Sequence, residues 1–263
     1  MKIAFTVLAL ATLTLLMAQK KDNDTTTFNM GEKTIIIISS EDKDVLTHKS
    51  CTDSSDKKWP KFIIDIGANG YLNDNNDTQL YTEDELHELN YNRSRSFGVS
   101  FLGKGYESKN KHFFISPGIG MTWNNYHFDN SVSISSTNDM TSFSLDTLTN
   151  YSKNKLRVSY LEIPLVVGGV IGKGKNPLEI EVGAIGGLML FSVNKQKYEA
   201  AGLNYDVKVK DDYNLNPFKL DALVRVTIGD IGLFARYSFT SLYQKDKAPE
   251  LYPFALGISF GDF

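Results

Sequence analysis

A strict period-two alternation of apolar and polar residues is the feature that most constrains this chain. In the segment 178–190, Ile180 and Val182 fall on one face, whereas Glu179 and Glu181 fall on the other. Two later segments repeat the pattern, 220–228 and 231–239. Because successive side chains of a β-strand point in opposite directions, this alternation predicts strands with unlike faces, and helical spacing would mix the two sets.

Eight segments of this kind occur between Lys61 and Phe263. They are 61–73, 93–104, 112–127, 155–170, 177–194, 216–228, 231–242 and 252–263. Each is long enough to cross a bilayer, for which a tilted strand needs about 9–11 residues. Strands of globular proteins are usually shorter, roughly 5–6 residues. The segment lengths therefore favour membrane-spanning strands.

The connections between these segments alternate in length. Long connections occupy 74–92, 128–154 and 195–215. Short ones occupy 105–111, 172–176 and 229–230, and the last, 243–251, is intermediate. Outer-membrane barrels place short turns in the periplasm and long loops outside. The sequence thus predicts an all-β fold, an eight-stranded antiparallel up-and-down transmembrane β-barrel over residues 59–263. Two extra strands, formed by Thr34–Ser39 or by loop residues such as Leu203–Lys210, leave ten strands as an alternative.

The first 58 residues differ from the rest of the chain. Residues 1–19 combine a basic start, a short apolar run and small or polar residues, which predicts a secretory signal peptide. A membrane anchor is the alternative, but the run falls short of the roughly 20 residues that a spanning helix needs. Residues 20–58 are predicted to be a flexible periplasmic leader with one isolated β-prone stretch, Thr34–Ser39. The single cysteine, Cys51, excludes a disulfide scaffold.

Composition excludes several functions. The formal net charge is −3 and no basic stripe stands out, so no nucleic-acid partner is expected. No glycine cluster precedes a helical pattern, so no nucleotide or other cofactor is expected. The acidic loop between residues 74 and 88 lacks the spaced Asp/Asn–Gly pattern of a calcium site, so no metal is expected either.

One short motif resembles the signature motif of a known family. The stretch Tyr160-Leu161-Glu162-Ile163-Pro164-Leu165 is similar to the Leu-Glu-Ile-Pro-Leu signature of the PorT-like outer-membrane β-barrel family of Bacteroidetes. The segments 59–71, 178–190 and 236–238 resemble that family's first, fifth and penultimate strands. The resemblance covers residues 59–263 and implies a barrel in the outer membrane. Some relatives take part in protein secretion.

The alternation also predicts a charged interior. Seven ionisable residues share the inward phase: Asp65, Glu162, Glu179, Glu181, Asp221, Arg225 and Arg236. An eight-stranded barrel is just wide enough for side chains to fill it. Because isolated buried charges are costly, we expect Arg225 and Arg236 to bridge to these carboxylates. A polar plug that holds the barrel shut is one interpretation, and a proton or ion path, or a gate, is the other.

Aromatic residues lie near the strand ends, where amphipathic rings settle at the level of lipid headgroups. The predicted interface aromatics are Trp59, Tyr71, Trp123, Tyr126, Tyr237, Tyr243 and Tyr252. A sugar-binding platform formed by Trp123 and Tyr126 is the alternative. In the last strand, Phe254 to Phe260 keep the lipid-facing phase, while Phe263 falls out of it.

Catalytic signals are weak. His127 with Asp129 and Ser131 is the sole local candidate for an outer-rim catalytic group, so no enzyme is expected. The favoured function is a structural, surface-display or interaction role in the Gram-negative outer membrane, not a wide pore. Its expected partners are outer-membrane lipid, the barrel-assembly machinery during biogenesis, and secretion-machine or surface partners. The alternatives are an accessory component of a secretion or transport machine and a soluble lipocalin-like carrier.

Overall fold

The computed structural model describes two compact units, one within residues 1–54 and one within residues 55–263. The described residues are 25–30, 33–38, 59–73, 77, 88–110, 112–129, 132–137, 140–146, 149, 151–172, 176–200 and 202–261. Predictions about the signal peptide, Cys51, most of the acidic loop, Ser131 and Phe263 lie outside these residues. Within them, no helix is long and apolar enough to cross a membrane.

The N-terminal unit contains an antiparallel pair of strands. β1 (Thr25–Met30) pairs with β2 (Lys33–Ile38), so that Met30 lies opposite Lys33. The stretch predicted as an isolated strand therefore has a partner.

The described residues of the second unit form twelve strands. In chain order they are β3 (Lys61–Leu72), β4 (Arg95–Leu102), β5 (Tyr106–Glu107), β6 (Phe113–His127), β7 (Val132–Ser136), β8 (Thr141–Leu145), β9 (Tyr151–Ile171), β10 (Leu178–Ala200), β11 (Leu203–Lys210), β12 (Phe218–Ile228), β13 (Ile231–Ser238) and β14 (Tyr252–Gly261).

Eight of these strands form a closed antiparallel ring. In order around the ring they are β3, β4, β6, β9, β10, β12, β13 and β14. The ring closes because β14 pairs with β3 along its whole length, from Tyr252 opposite Leu72 to Gly261 opposite Ile63. These are the eight segments that the alternation predicts, and they follow one another in sequence order.

The long-loop end carries more structure than the sequence predicts. β9 and β10 continue past the ring, and β11 pairs with β10 from Lys210 opposite Val193 to Leu203 opposite Ala200. β7 and β8 form a separate hairpin in the connection between β6 and β9. Because β11 lies outside the ring, the ring has eight strands rather than ten. We call the part of β9, β10 and β11 beyond Ser159 and Phe191 the extension.

A bulge marks the start of the extension. The pairing of β9 with β10 shifts between Met189 and Phe191, which places Leu190 as the extra residue. A bulge of one residue reverses the phase of the side chains that follow it. Phe191 therefore shares its face with Ser159, and the outward face of the ring continues without interruption onto the extension.

The two faces of the ring differ in polarity. Outward positions carry large apolar side chains that are freely accessible, such as Ile163 at 65% and Leu233 at 66% exposure. Inward positions are buried. At the long-loop end they form an apolar cluster that includes Tyr126, Leu156 and Leu215.

Burial corrects part of the predicted aromatic belt. Tyr71, Tyr126 and Tyr243 are buried in the inner cluster at the long-loop end rather than placed at the outer surface. Tyr71 shares the inward phase of Asp65, and nearness to a strand end does not decide which way a ring points.

The other four predicted aromatics take different positions. Trp59 packs against the inner apolar side chains near the short turns. Trp123 lies on the outward face, with its ring 5.6 Å from that of Phe97. Tyr237 and Tyr252 share the outward phase of their strands and are half-buried.

The seam, where β14 pairs with β3, leaves no room for an added methyl group at Gly257. A Cβ at Gly257 would lie less than 3.0 Å from the Ile66 carbonyl oxygen and from Gly67 Cα, so Gly257→Ala must displace backbone. We expect this variant to lose about 1–3 kcal/mol of stability, as overpacking typically does. Thermal unfolding in detergent, followed by far-UV circular dichroism, measures the loss.

Gly186→Ala is the matched control, because a Cβ there meets no atom within 4 Å. A Gly257→Ala protein as stable as the Gly186→Ala protein would contradict the close approach at the seam.

Candidate functional site

The candidate site is a column of ionised side chains inside the ring. Every second position of a strand points inward, and the ring strands place charged residues at several such positions. β3 contributes Asp65, β9 contributes Glu162, and β10 contributes Glu179 and Glu181. β12 contributes Asp221 and Arg225, and β13 contributes Arg236. All seven predicted residues are buried, with exposures of 8% or less.

Arg225 occupies the centre of the column. Its Nη1 donates to Glu181 Oε2 at 2.7 Å, and its Nη2 donates to both oxygens of Asp65 at 3.1 and 3.2 Å. Its Nε donates to Ser259 Oγ at 3.0 Å, and the Ser259 hydroxyl in turn donates to Asp65 Oδ1 at 2.6 Å. The guanidinium is thus held by four strands: β3, β10, β12 and β14.

Arg236 binds the other side of the same aspartate. Its Nη2 donates to Asp65 Oδ2 at 2.5 Å, and its Nη1 donates to Glu162 Oε2 at 3.0 Å. Asp65 therefore lies between two guanidinium groups, and it connects β3 to β12 and β13, neither of which is its neighbour in the ring.

Two buried lysines complete the column, and the sequence analysis missed both. Lys61 pairs with Glu179 and, at 3.5 Å, with Glu181 near the short turns. Lys219 pairs with Glu162 at 2.8 Å and with Asp221 at 2.6 Å toward the long loops. The inward phase contained the signal, since Lys61 is four residues before Asp65 and Lys219 is two before Asp221.

The charges alternate in sign along the column. In order from the short turns to the long loops they are Glu179, Lys61, Glu181, Arg225, Asp65, Arg236, Glu162, Lys219 and Asp221. Each cation contacts two carboxylates. Taking charges out of water costs several kcal/mol per ion, roughly, and close pairing with hydrogen bonds compensates for it. The alternation is the arrangement that lets a narrow interior hold so many charges.

Aromatic rings lie against the lysine at each end of the column. The Lys61 ammonium is 5.2 Å from the centre of the Trp59 ring and 4.5 Å from that of Phe114. The Lys219 ammonium is 4.6 Å from the centre of the Tyr160 ring. The rings stabilise both cations.

A polar recess adjoins the long-loop end of the column. Its volume is about 30 Å³, and Thr122, Asp221 and Arg236 are among the residues that line it. Arg236 Nε and Asp221 Oδ1 have no hydrogen-bond partner among the atoms of the described residues. A polar cavity needs a volume of roughly 10–15 Å³, measured in the same way, to hold a water molecule. The recess is therefore large enough to hydrate these two groups and too small for an organic substrate.

Among the described residues, His127 makes no side-chain hydrogen bond or ion pair with Asp129, and Ser131 lies outside them. It lies at the end of β6, beyond the outward-facing Trp123, and Asp129 accepts a hydrogen bond from Asn90 Nδ2 at 3.0 Å. Burial, followed by the charge of Lys155, lowers the pKa of His127 to about 4. The imidazole thus lies in a positively charged environment and not beside an activating carboxylate.

Within the described ranges, no group of three or more His, Cys, Asp or Glu side chains could hold a metal ion. No family model, curated protein or solved structure matches this chain. The PorT-like resemblance of residues 160–165 stays a prediction. In β9, Glu162 of that motif faces inward to Arg236, while Ile163 and Leu165 face outward.

The column predicts a strong effect of removing its central cation. Arg225→Leu leaves Glu181 and Asp65 buried beside an apolar side chain, and such a break costs about 3–5 kcal/mol. We expect this loss in guanidinium-induced unfolding of the refolded chain, followed by tryptophan fluorescence. The double variant Arg225→Leu with Glu181→Gln should recover part of it, because one stranded charge is removed.

The surface substitution Lys245→Leu is the control, with an expected change within about 0.5 kcal/mol. Equal stabilities of the Arg225→Leu and Lys245→Leu proteins would show that the charges are not a structural element.

Proposed function

We propose that this chain is an outer-membrane β-barrel that anchors and displays its long-loop end, and that its interior is a polar plug rather than a wide pore. The observation that carries the proposal is the inverted polarity of the ring, with charged side chains inside and large apolar side chains outside. A water-soluble protein buries its apolar side chains and keeps most of its charged side chains at the surface. Lipid outside the ring accounts for the inversion.

The closed ring supports the same conclusion. In the hydrocarbon core each unpaired backbone N–H or C=O group costs several kcal/mol, roughly, so spanning sheets must have no free edge. Pairing of β14 with β3 removes the edge that an open eight-stranded sheet would have. On β12, outward apolar side chains extend from Leu220 to Ile228, nine residues that match the length of a tilted spanning strand, about 9–11 residues.

The outward face also argues against the soluble lipocalin-like carrier. Such a carrier presents polar side chains to water and an apolar cavity to its ligand. In this ring Ile163, Leu233 and Leu256 are each more than half exposed on the outside, and the interior holds the charged column.

An accessory role in a secretion or transport machine is the second candidate function. The extension favours it, because within the part of the chain that the structure describes β11 pairs only with β10 and exposes Leu203, Tyr205 and Val209. An unpaired strand edge with apolar side chains is a template for pairing with a partner protein. Recovery of a stable large complex from solubilised membranes, lost on Tyr205→Ser, would favour this second role.

Two measurements test the proposed function. We expect the native chain to resist carbonate washing, to be released by detergent, and to migrate differently in gels before and after boiling, as a closed barrel does. In planar lipid bilayers the purified chain should give no long-lived current steps of porin size, because side chains fill its interior.

Recovery of the folded chain from the periplasm without detergent would contradict the membrane proposal. Discrete, stable conductance steps in the bilayer would contradict the plug and leave the barrel intact.

A further inference from the structure

The outward face of the extension is strongly basic. β9, β10 and β11 place seven cationic side chains on this face, which we call the basic patch: Lys153, Lys155, Arg157, Lys195, Lys197, Lys208 and Lys210. Two carboxylates share the face, Asp206 and Glu199. Asp206 pairs with Lys197 at 2.9 Å and lies 4.0 Å from Lys208. The patch therefore keeps an excess of positive charge.

The patch lies immediately beyond the apolar band. Trp123 is in register with Ser159 of β9, and the next outward residues along the two strands are Asn125 and Arg157. Two residues along a strand span about 7 Å. Trp side chains settle at the level of lipid headgroups. The first cation of the patch is thus placed at headgroup height, and Lys155 and Lys195 form the next row outward.

The cations are held close together. Asn125 Oδ1 accepts hydrogen bonds from Lys155 Nζ at 2.6 Å and from Arg157 Nε at 3.0 Å, so the two side chains are fixed side by side. Burial and then the charge of Arg157 lower the pKa of Lys155 to about 8, and the same two causes lower the pKa of Lys195. The cations repel one another, and a bound anion would relieve that repulsion.

We propose that the basic patch binds the phosphate groups of an anionic lipid in the leaflet at the long-loop end, a phosphorylated glycolipid of the lipid A class. The inference rests on the proposed membrane function, in which the long loops lie outside. Arg157 and Lys195 donate charge-assisted hydrogen bonds to phosphate oxygens. The acyl chains lie against the apolar band below them, which begins with Trp123 and Phe97.

Lipid titration of the purified full chain tests the inference. The probes are lipid A with both phosphates and lipid A with neither, each titrated in neutral detergent with binding followed by native mass spectrometry. We expect the phosphorylated form to bind at least tenfold more tightly. Each basic side chain near an anionic headgroup contributes about a fivefold gain in affinity. Arg157→Gln with Lys195→Gln should therefore weaken binding by about twentyfold.

The control pair is Lys245→Gln with Lys247→Gln, which removes the same charge from the long-loop end outside the patch. We expect it to bind within about threefold of the native chain. Gel mobility before and after boiling verifies that both pairs fold. Equal binding of the two lipid A forms, equal losses in the two variant pairs, or complete displacement by millimolar inorganic phosphate would each overturn the inference.

Insertion into phosphatidylcholine vesicles, tested first, separates this inference from the proposed function. A chain that stays in the aqueous phase contradicts both. A chain that inserts but does not discriminate between the two lipid A forms contradicts the lipid site alone.

Discussion

The structure depends on the contact of Asp65 with two arginines. Asp65 comes from β3, and Arg225 and Arg236 come from β12 and β13. Salt bridges at a protein surface contribute about 0–1 kcal/mol, but removing one partner of a buried pair costs about 3–5 kcal/mol. The charges of the interior therefore depend on one another, because neutralising one member of the column removes an ion-pair partner from each of its neighbours.

The buried charges explain the polarity of the whole ring. Side chains alternate strictly along each strand, so an inward face that carries charges leaves the outward face for apolar residues. Closure of the sheet at the β14–β3 seam then satisfies the backbone and leaves a surface suited to lipid. The same outward face continues past the bulge at Leu190, where it changes from apolar to basic. The same alternation of side chains thus places the residues of the proposed plug, of the proposed lipid-facing band and of the proposed headgroup site.

Much of this arrangement could be predicted from residue order. The alternation along their strands places Glu181, Asp221 and Arg225 inside the ring. The same alternation identifies Lys61 and Lys219 as interior residues. The phase also shows that Tyr71 points inward, although its nearness to a strand end suggested an interface role. The sequence raised a strand at 203–210 but did not predict the extension of β9 and β10. Charged residues such as Lys195 and Lys197 are typical of exposed loops, so their segment is assigned to a connection. Which arginine meets which carboxylate depends on the stagger of eight strands, and that stagger is set by long-range pairing.

The most direct test of the inverted polarity is a spin-label scan of β13. In a Cys51→Ser background, single cysteine substitutions of the uncharged residues from Ile231 to Ser238 would carry a nitroxide, and the reconstituted chain would be probed with oxygen and with a water-soluble nickel complex. We expect a period of two, with labels at Leu233 and Ala235 accessible to oxygen in the lipid and labels at Phe234 and Ser238 shielded from both probes. Equal oxygen accessibility at all positions, or nickel accessibility at Leu233, would contradict it.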